Sequence, residues 1–345
     1  MKSGNDVYFD WPLEKGEKAR EVWYSLVTHP DRPLVVWYRY SLISTDEGRR
    51  EGRVWFGLSD GEDQTSSFLE TRSVDIGEVS YDSPFYLEMG DSGGISNHGA
   101  EGEIESEIEG EDEVSWEFSY EPDEVTFTPL RSEKVTKMAE KFLNSGRHWS
   151  FNESISMNGT VTLDGEEIEF RDAPGHQGHT AGRSIPDSWS WIHCNSFEDP
   201  SVSIEALHLD GKTSICFRVD GESYMLNRLN EVLRGNDTRY NNVDGWRFTG
   251  SQDEFELDVR VEVDGGDQES LGDVDGKYRK ACYLAPDHSS RYVAHCGLAD
   301  VEISYSLGDG YPCSASSSKA RVEWGGTEPP VGGKPGYRPR DYILE

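Results

Sequence analysis

The chain has 345 residues, with 66 Asp and Glu against 33 Lys and Arg, and a net charge of −33. Such a charge repels nucleic acid and anionic membranes, so neither is an expected partner. Acidic chains are often disordered, but 10 Trp, 16 Tyr and 13 Phe residues are typical of a folded protein. The length allows two domains or one large β domain.

The acidic balance also predicts the cytosol of a salt-accumulating organism, because at ~1 M salt the Debye length is ~3 Å and self-repulsion is screened. No charged segment followed by an apolar run opens the chain, so no signal peptide is predicted. No apolar run approaches the ~20 residues of a membrane span. Five cysteines without CxxC spacing are typical of reduced, buried thiols. We therefore expect a cytoplasmic protein without stable membrane insertion.

The first third of the chain is rich in strand patterns. VWYSLV, LVVWYRYSLI and RVWFGLS mix aromatic and β-branched residues, which favours an antiparallel sheet. The pentapeptide GDSGG at Gly90–Gly94 matches the nucleophile signature of chymotrypsin-like proteases. In that family the serine follows its His and Asp partners, whereas here the only upstream histidine, His29, lies in a His-Pro-Asp turn. We interpret the pentapeptide as a glycine-rich loop.

The rest of the chain continues the strand pattern around a single helical segment. Residues 131–145 have helix-compatible composition, with Ser132 as a possible N-cap. Asp-Gly pairs at 164–165, 210–211 and 220–221 predict tight hairpins, and FELDVRVEV alternates with its apolar residues inward. The sequence thus predicts an all-β protein with very little helix, made of two antiparallel barrels or sandwiches at 1–150 and 151–345.

The segment Asp172–Phe197 carries the densest set of chemically active side chains. We predict a Gly/Pro-broken loop at Pro174–Pro186, followed by a strand over Trp189–Phe197. Period-2 geometry places Trp189, Trp191, His193, Asn195 and Phe197 on one face and Ser190, Ile192, Cys194 and Ser196 on the other. Wide rings with a few hydrogen-bonding groups are typical of a ligand cavity. The alternative is a core strand whose His193 and Asn195 hold neighbouring backbone.

The pattern GxxGHxxGR…WxWIHCNxF resembles the lipocalin-like superfamily of AttH, carotenoid 1,2-hydratase, tocopherol cyclase and fungal decalin-forming Diels–Alderases. Trp189, Trp191, Asn195 and Phe197 match the family's strand, while His179 and Gly182 match its loop. The acidic residue, the Asn and the Trp of the hydratase loop are absent here. The resemblance implies two lipocalin-like β domains with a hydrophobic ligand between or within them.

The same resemblance implies a cofactor-free cyclase, hydratase or isomerase acting on an isoprenoid or similar hydrophobic molecule by general acid–base catalysis. Relatives that protonate a prenyl chain need a proton donor beside aromatic faces. His179 and His193 are the candidate catalytic residues, because imidazole titrates near neutral pH. The candidate ligand-binding residues are Trp189, Trp191, Asn195, Arg183 and His176.

Several alternatives stay open at this point. The protein could be a non-catalytic lipocalin-like carrier, which the missing acidic loop residue favours. His179 could cap a loop, and Arg183 could form a salt bridge on the acidic surface. His176, His179 and His193 could form a three-His metal site, although His-x-x-His outside a helix has no fixed geometry. We expect no metal and no cofactor, and the sequence does not predict an oligomeric state.

Overall fold

The computed structural model describes residues 5–62, 68–105, 113–123, 125–143, 146–263, 278–308, 310–330 and 343–344. Within them, 11 antiparallel strands form a first sheet. Their bounds are β1 Ala19–Thr28, β2 Leu34–Ser44, β3 Arg50–Asp60, β4 Phe68–Asp75, β5 Val79–Asp82, β6 Tyr86–Met89, β7 Gly93–Ser96, β8 Gly99–Ile104, β9 Val114–Tyr120, β10 Arg147–Leu163 and β11 Glu166–Gly182. The spatial order is β4-β3-β2-β1-β11-β10-β9-β8-β7-β6-β5.

The remaining 11 described strands form a second sheet, antiparallel except for one short pair at its edge. Their bounds are β12 Ser188–Cys194, β13 Ser203–Leu209, β14 Lys212–Val219, β15 Glu222–Leu226, β16 Asp237–Asn242, β17 Gly245–Gln252, β18 Phe255–Glu262, β19 Arg279–Leu284, β20 Ser290–Leu307, β21 Cys313–Gly326 and β22 Ile343–Leu344. The main path is β15-β14-β13-β12-β21-β20-β18-β17-β16, and β19 pairs with β20 and β22. Thr213 of β14 and Thr238 of β16 share a 2.8 Å hydrogen bond, so the two sides of this sheet approach each other and nearly close a barrel.

Helical structure is confined to short pieces among the described residues. The α-helix α1 spans Glu133–Leu143, and the N–H of Val135 donates to Oγ of Ser132 at 3.4 Å, as the N-cap prediction requires. Two 3₁₀ turns cover Ile76–Glu78 and Gly90–Ser92, and a π-helical turn covers Glu231–Gly235. No helix in these ranges is long and apolar enough to span a membrane. The prediction of an all-β fold with little helix is confirmed.

The Asp-Gly hairpins form as predicted. Asp164, Asp210 and Asp220 have φ values of 50°, 48° and 53°, and the glycine after each also has a positive φ. Two consecutive residues with positive φ produce a turn whose twist matches that of the flanking strands. These turns connect β10 to β11, β13 to β14 and β14 to β15.

Buried apolar side chains of the described residues form three clusters. The first fills the interior of the first sheet and contains Trp23, and the second fills the interior of the second sheet and contains Trp246. The third lies between the sheets, where Trp37 and Trp55 of the first sheet pack with Trp191 of the second. Burial of apolar surface contributes about 25 cal/mol per Å², so this third cluster binds the two sheets together.

The predicted loop Pro174–Pro186 is wrong over most of its length, because β11 continues to Gly182 and pairs with β1 and β10. Its glycines serve close packing within the sheet. A Cβ at Gly178 would lie 2.3 Å from Cζ of Tyr24, whose ring crosses the strand at that point. The first sheet ends at Gly182 and the second begins at Ser188, which is later than the predicted division at residue 150. That division stays a prediction about domains.

Candidate active site

Strand β12 crosses a wall that the second sheet presents to the first. His193 lies opposite Glu205 of the neighbouring β13. Trp191 and His193 are buried against the first sheet, whereas Ile192 and Cys194 pack in the interior of the second. The predicted division into two unlike faces is confirmed for these four residues. It is wrong for Phe197, which packs in the interior of the second sheet with Ile192 and Cys194, because the strand ends at Cys194 and the period-2 alternation stops there.

The first sheet covers this wall with side chains from three adjacent strands. Tyr24 comes from β1, Ser150 and Glu153 from β10, and His176 from β11. The rings of Tyr24 and Trp191 meet edge to face, with 5.7 Å between centroids. The wall is therefore an inter-sheet contact that combines aromatic rings with buried polar groups.

Glu205 is the centre of the polar groups at this contact and is fully buried. Its Oε1 accepts hydrogen bonds from Oγ of Ser150 at 2.5 Å and Nε1 of Trp191 at 2.8 Å, and Nε2 of His148 lies 3.1 Å away. Burial alone would raise the pKa of Glu205, but the His176 and His148 imidazoles hold that pKa well below its usual range. Glu205 is therefore a carboxylate at neutral pH.

His176 is fully buried, and among the described residues neither of its ring nitrogens has an aligned hydrogen-bond partner. Its Nε2 lies 3.4 Å from Oε2 of Glu205, which also lacks one. The ring lies 5.6 Å from both Tyr24 and Trp191, between centroids. Buried polar atoms almost always have well-aligned hydrogen bonds, so these poorly aligned atoms mark a position suited to a polar group of a ligand.

Glu153 is a second fully buried carboxyl group on the same contact. Oγ of Ser203 donates to its two oxygens at 3.0 and 3.1 Å, and Nη1 of Arg218 lies 3.3 Å from Oε2. Burial and the neighbouring charge of Glu205 raise the pKa of Glu153 to about 8, against the opposing effects of Arg218 and Ser203. Glu153 is therefore mainly protonated at pH 7.

His193 lies between the two carboxyl groups. Its Nε2 donates to the backbone carbonyl of Glu153 at 2.8 Å and lies 3.8 Å from Oε1 of that residue. Its ring packs on His176 with 4.2 Å between centroids. Burial, followed by the nearby His176, lowers the pKa of His193 to about 3, so the imidazole is neutral at pH 7.

A second polar group lies further along the wall, around Glu323 of β21. Nε1 of Trp189 donates to Glu323, Nδ1 of His295 lies 3.0 Å from its Oε2, and Nε2 of His295 shares a 2.7 Å hydrogen bond with the hydroxyl of Tyr283. Burial would raise the pKa of Glu323, but His295, Trp189 and Arg321 lower it to about 2. This group is a compensated ion network, because its hydrogen-bonding partners are present.

His179 does not reach the wall. It lies in β11 on the face opposite His176, where its ring stacks between Trp23 at 4.8 Å and Trp149 at 4.9 Å. Its Nε2 lies 2.9 Å from Oε1 of Glu21 in the interior of the first sheet. The three-His metal site is therefore wrong, because two of its members point to opposite sides of one strand. The catalytic role of His179 stays a prediction, and its surroundings favour a structural one.

Two other predicted ligand-binding residues occupy different positions. The side chain of Arg183 is 48% exposed, 3.8 Å from Oε1 of Glu17, and donates to the carbonyl of Lys18. It lies outside the wall and matches the salt-bridge alternative. Asn195 lies at the wall, where Nδ2 donates to the carbonyl of Gly175 at 2.8 Å and joins the two sheets.

A cleft of about 670 Å³ lies elsewhere, on the outer surface of the second sheet. Its lining includes Arg247, Asp258, Arg260 and Glu302. Such a charged lining differs from the apolar walls that bind hydrophobic ligands. The cleft is therefore a poor match to the ligand that the sequence predicts.

A comparison with known protein families identifies the family of this chain. The model of the tocopherol cyclase-like family matches residues 92–272, more than half of the chain. The chain belongs to the tocopherol cyclase-like family. The matched range contains Glu153, His176, His193 and Glu205, so the inter-sheet polar groups lie within the family region.

Solved structures share the fold of this tocopherol cyclase-like protein. An AttH protein of Nitrosomonas europaea has a TM-score of 0.50 at 11% identity, covering 93% of this chain and 98% of its own. CghA has a TM-score of 0.53 at 9% identity, covering 92% and 90%. CghA with Sch210972 has a TM-score of 0.51 at 10% identity, covering 91% and 89%. At these identities the likeness shows the fold alone, and the family points to a cyclase- or hydratase-type enzyme without naming a substrate.

Sequence reasoning missed both carboxyl groups of the wall. Glu205 lies in VSIEALHL, where an acidic residue occupies the same face of the strand as Leu207. A charged residue between apolar neighbours was the available signal, but it is inconspicuous in a chain with 66 Asp and Glu. Glu153 carried no such signal, because NESISMNG has no clear apolar period.

Proposed function

We propose that this tocopherol cyclase-like protein is a cofactor-free, cytoplasmic cyclase or hydratase-type enzyme acting on a hydrophobic, unsaturated small molecule. The reaction site is the inter-sheet wall around Glu205, His176 and His193. Family membership supports the reaction class, and the combination of aromatic rings with buried acid–base groups supports the position.

The observation that carries the proposal is a set of polar atoms on His176 and Glu205 that have no aligned hydrogen bond within the described parts of the chain. Leaving a buried polar group without a hydrogen bond costs about 1–3 kcal/mol, so a stable protein rarely keeps several together without a use for them. Here they lie beside Trp191 and Tyr24. A substrate hydroxyl placed at this point would donate to Oε2 of Glu205 and accept from a ring N–H of His176.

The surroundings suit chemistry that passes through a cation. Aromatic faces stabilise a positive charge within about 6 Å of the ring centroid by roughly 0.5–2 kcal/mol. The carboxylate of Glu205 adds a negative charge that could stabilise such an intermediate or remove a proton from it. Trp191 contributes ring surface and a hydrogen bond to this carboxylate at the same time.

Substrate access requires the two sheets to separate locally, because the first sheet covers the wall. Arg218 and Asp123, an ion pair at one border of the polar groups, are only partly exposed. A ligand could therefore enter by displacing side chains at this border.

The test uses a geranylgeranylated hydroquinone and an acyclic carotene as probes, each compared with its fully saturated analogue. Native mass spectrometry would report binding, and chromatography of the extracted probe would report a cyclised or hydrated product. We expect product only from the unsaturated probes. Glu205→Gln should retain binding and lower turnover by ~10²–10⁴, the usual contribution of general acid–base catalysis.

The matched control is Glu256→Gln, which changes an exposed carboxyl group on β18 and should leave turnover unchanged. Binding without product in the unmodified protein would instead identify a carrier. Unchanged turnover in Glu205→Gln would refute the assignment of the site to Glu205.

A further inference from the structure

Four buried acid–base side chains lie in a line across the sheet contact, with a carboxyl group at each end. Oε2 of Glu205 lies 3.4 Å from Nε2 of His176, whose ring packs at 4.2 Å on His193, whose Nε2 lies 3.8 Å from Oε1 of Glu153. All four side chains are at most 3% exposed. The two ends differ in their hydrogen bonds. Oε1 of Glu205 has polar atoms of His148, Ser150 and Trp191 around it. Glu153 instead accepts from a serine hydroxyl and shares Arg218 with Asp123.

Several strands packed against this line contribute titratable or charged side chains. They are Tyr24 of β1, His148 of β10, Cys216 and Arg218 of β14, Arg321 of β21, which pairs in register with His193, and Asp123 of the segment after β9. Arg218 is the guanidinium in contact with Glu153, and Asp123 also pairs with it, whereas the imidazoles of His148 and His176 lie against Glu205. The positive charge beside Glu153 is therefore already shared, and an ionised carboxyl group is less well compensated at Glu153 than at Glu205.

We propose that Glu153 and Glu205 share a single proton, with Glu153 as the acid and Glu205 as the base of the reaction. This inference rests on the proposed function. It goes further, because it assigns a proton donor and favours reactions that gain and lose one proton per turnover. Two carboxyl groups whose environments separate their protonation states are a recurrent arrangement for acid–base chemistry.

The proton balance of the proposed cycle is complete. The O–H bond of Glu153 breaks, its proton forms a new bond to an alkene carbon of the substrate, and Glu153 becomes a carboxylate beside Arg218. The substrate cation then closes a ring and gives up a different proton to Glu205, so charge is restored in the product. A proton then returns from Glu205 to Glu153 through His176 and His193, whose rings must first turn to bring their nitrogens within hydrogen-bonding distance, leaving Glu153 protonated and Glu205 ionised.

This arrangement suits cyclisation of an unsaturated hydrophobic molecule. Cyclisation is an isomerisation, so it consumes no water, oxidant or net proton, and a one-proton pair can complete it. The neutral state of His193 is consistent with a relay group that carries charge only transiently. Full burial excludes water that would trap the cation.

The experiment is infrared spectroscopy of the intact protein in D₂O across pH 6–10. Protonated carboxyl groups absorb apart from carboxylates, so the band reports Glu153 directly and needs no substrate. We expect a band equivalent to one carboxyl group per chain at pH 7 that disappears around pH 8 and is absent from Glu153→Gln. In Glu205→Gln the loss should move at least one pH unit lower, because the neighbouring negative charge has gone.

Arg218→Gln provides a second variant in case Glu153→Gln fails to fold. Removing this cation should move the loss of the band to higher pH, opposite to the effect of Glu205→Gln. An unmodified protein without the band, or an unchanged transition in Glu205→Gln, would overturn the inference.

The two proposals fail in different ways. If the band behaves as expected but no polyprenyl probe binds, the proton pair stands and the proposed function is wrong. If product forms while the band is absent, the proposed enzymatic function is supported and the one-proton pair is wrong. Glu256→Gln should change neither the band nor its transition.

Discussion

Nε1 of Trp191 donates a 2.8 Å hydrogen bond to Oε1 of Glu205, a buried carboxylate on the adjacent strand. The indole ring therefore packs against the first sheet, while its N–H donates to the Glu205 carboxylate. A hydrogen bond to a charged group contributes about 1.5–3 kcal/mol, more than one between neutral groups. The same side chain thus contributes to ligand surface, electrostatics and the contact between sheets.

Trp191→Phe should destabilise the protein by about 1–3 kcal/mol more than Trp55→Phe. Both side chains are buried between the sheets, but the indole N–H of Trp55 has no hydrogen-bond partner in the part of the chain that the structure describes. The control therefore removes the same atoms without removing a bond to a charge. Urea unfolding of the two variants measures the difference, and equal losses would show that the Trp191–Glu205 bond adds no stability.

Stability should fall as the pH rises from 6.5 to 9, because of Glu153. Its folded pKa of about 8 lies above the ordinary value, so the folded state holds this proton more tightly than the unfolded state. The contribution is complete below about pH 4.5 and is lost as the pH rises through 8. At about 1.4 kcal/mol per pH unit, the loss above pH 6.5 is at most about 2 kcal/mol.

Urea unfolding at pH 6.5 and pH 9 tests this dependence, and Glu153→Gln should remove most of it. The low pKa values of His193 and Glu323 have the opposite sign. Their contributions to stability are complete above their unfolded-state pKa values. They are lost as the pH falls through the folded-state pKa values, about 3 for His193 and about 2 for Glu323. They therefore do not change the stability between pH 6.5 and pH 9. An equally steep fall in the stability of Glu153→Gln over this range would show that Glu153 is not its cause.

The fold was largely predictable because its signals are local. The alternation of FELDVRVEV placed Phe255, Leu257 and Val259 inward, and these residues lie in the interior of the second sheet. The Asp-Gly pairs gave the hairpins. The loop prediction at Pro174–Pro186 failed because it treated the glycines as loop residues. At Gly178 the absence of a side chain instead makes room for the ring of Tyr24. That reason depends on a partner strand about 150 residues away in sequence, which no local pattern contains.

The site was only half predictable. The strand carrying Trp191 and His193 was identified because its faces differ in composition. Glu153 was not, since β10 changes register between Trp149 and Asn152 and again between Asn152 and Ile155. Bulges add residues and turn side chains to a different face, so period-2 counting fails at this point. Which carboxyl groups meet is set by the contact of two sheets.

Low salt should destabilise the protein if its net charge of −33 reflects a salt-rich cytosol. Between ~0.1 M and ~1 M salt the Debye length falls from ~10 Å to ~3 Å, which screens repulsion among surface carboxylates. We expect the midpoint of thermal unfolding to rise over this range of KCl. Equal stability at both concentrations would contradict the halophilic interpretation, and a sucrose series separates screening from general exclusion effects.

His179→Gln and His193→Gln should separate structure from chemistry. His179 stacks between Trp23 and Trp149 and contacts Glu21, so its replacement should cost at least about 2 kcal/mol through lost stacking and a lost charge-assisted bond. Turnover per folded molecule should then change little. His193→Gln can still donate to the carbonyl of Glu153 but cannot relay a proton, so turnover should fall ~10²–10⁴ with a smaller loss of stability.

Urea unfolding and product formation from the geranylgeranylated hydroquinone, measured on the same preparations, decide between these outcomes. The decisive quantity is the ratio of the turnover loss to the loss of unfolding free energy, which should be small for His179→Gln and large for His193→Gln. If His179→Gln abolishes turnover while its stability is unchanged, the catalytic histidine lies in the first sheet's interior. The reaction would then have to occur there, beside Trp23 and Glu21, and the wall around Glu205 would be a structural contact only.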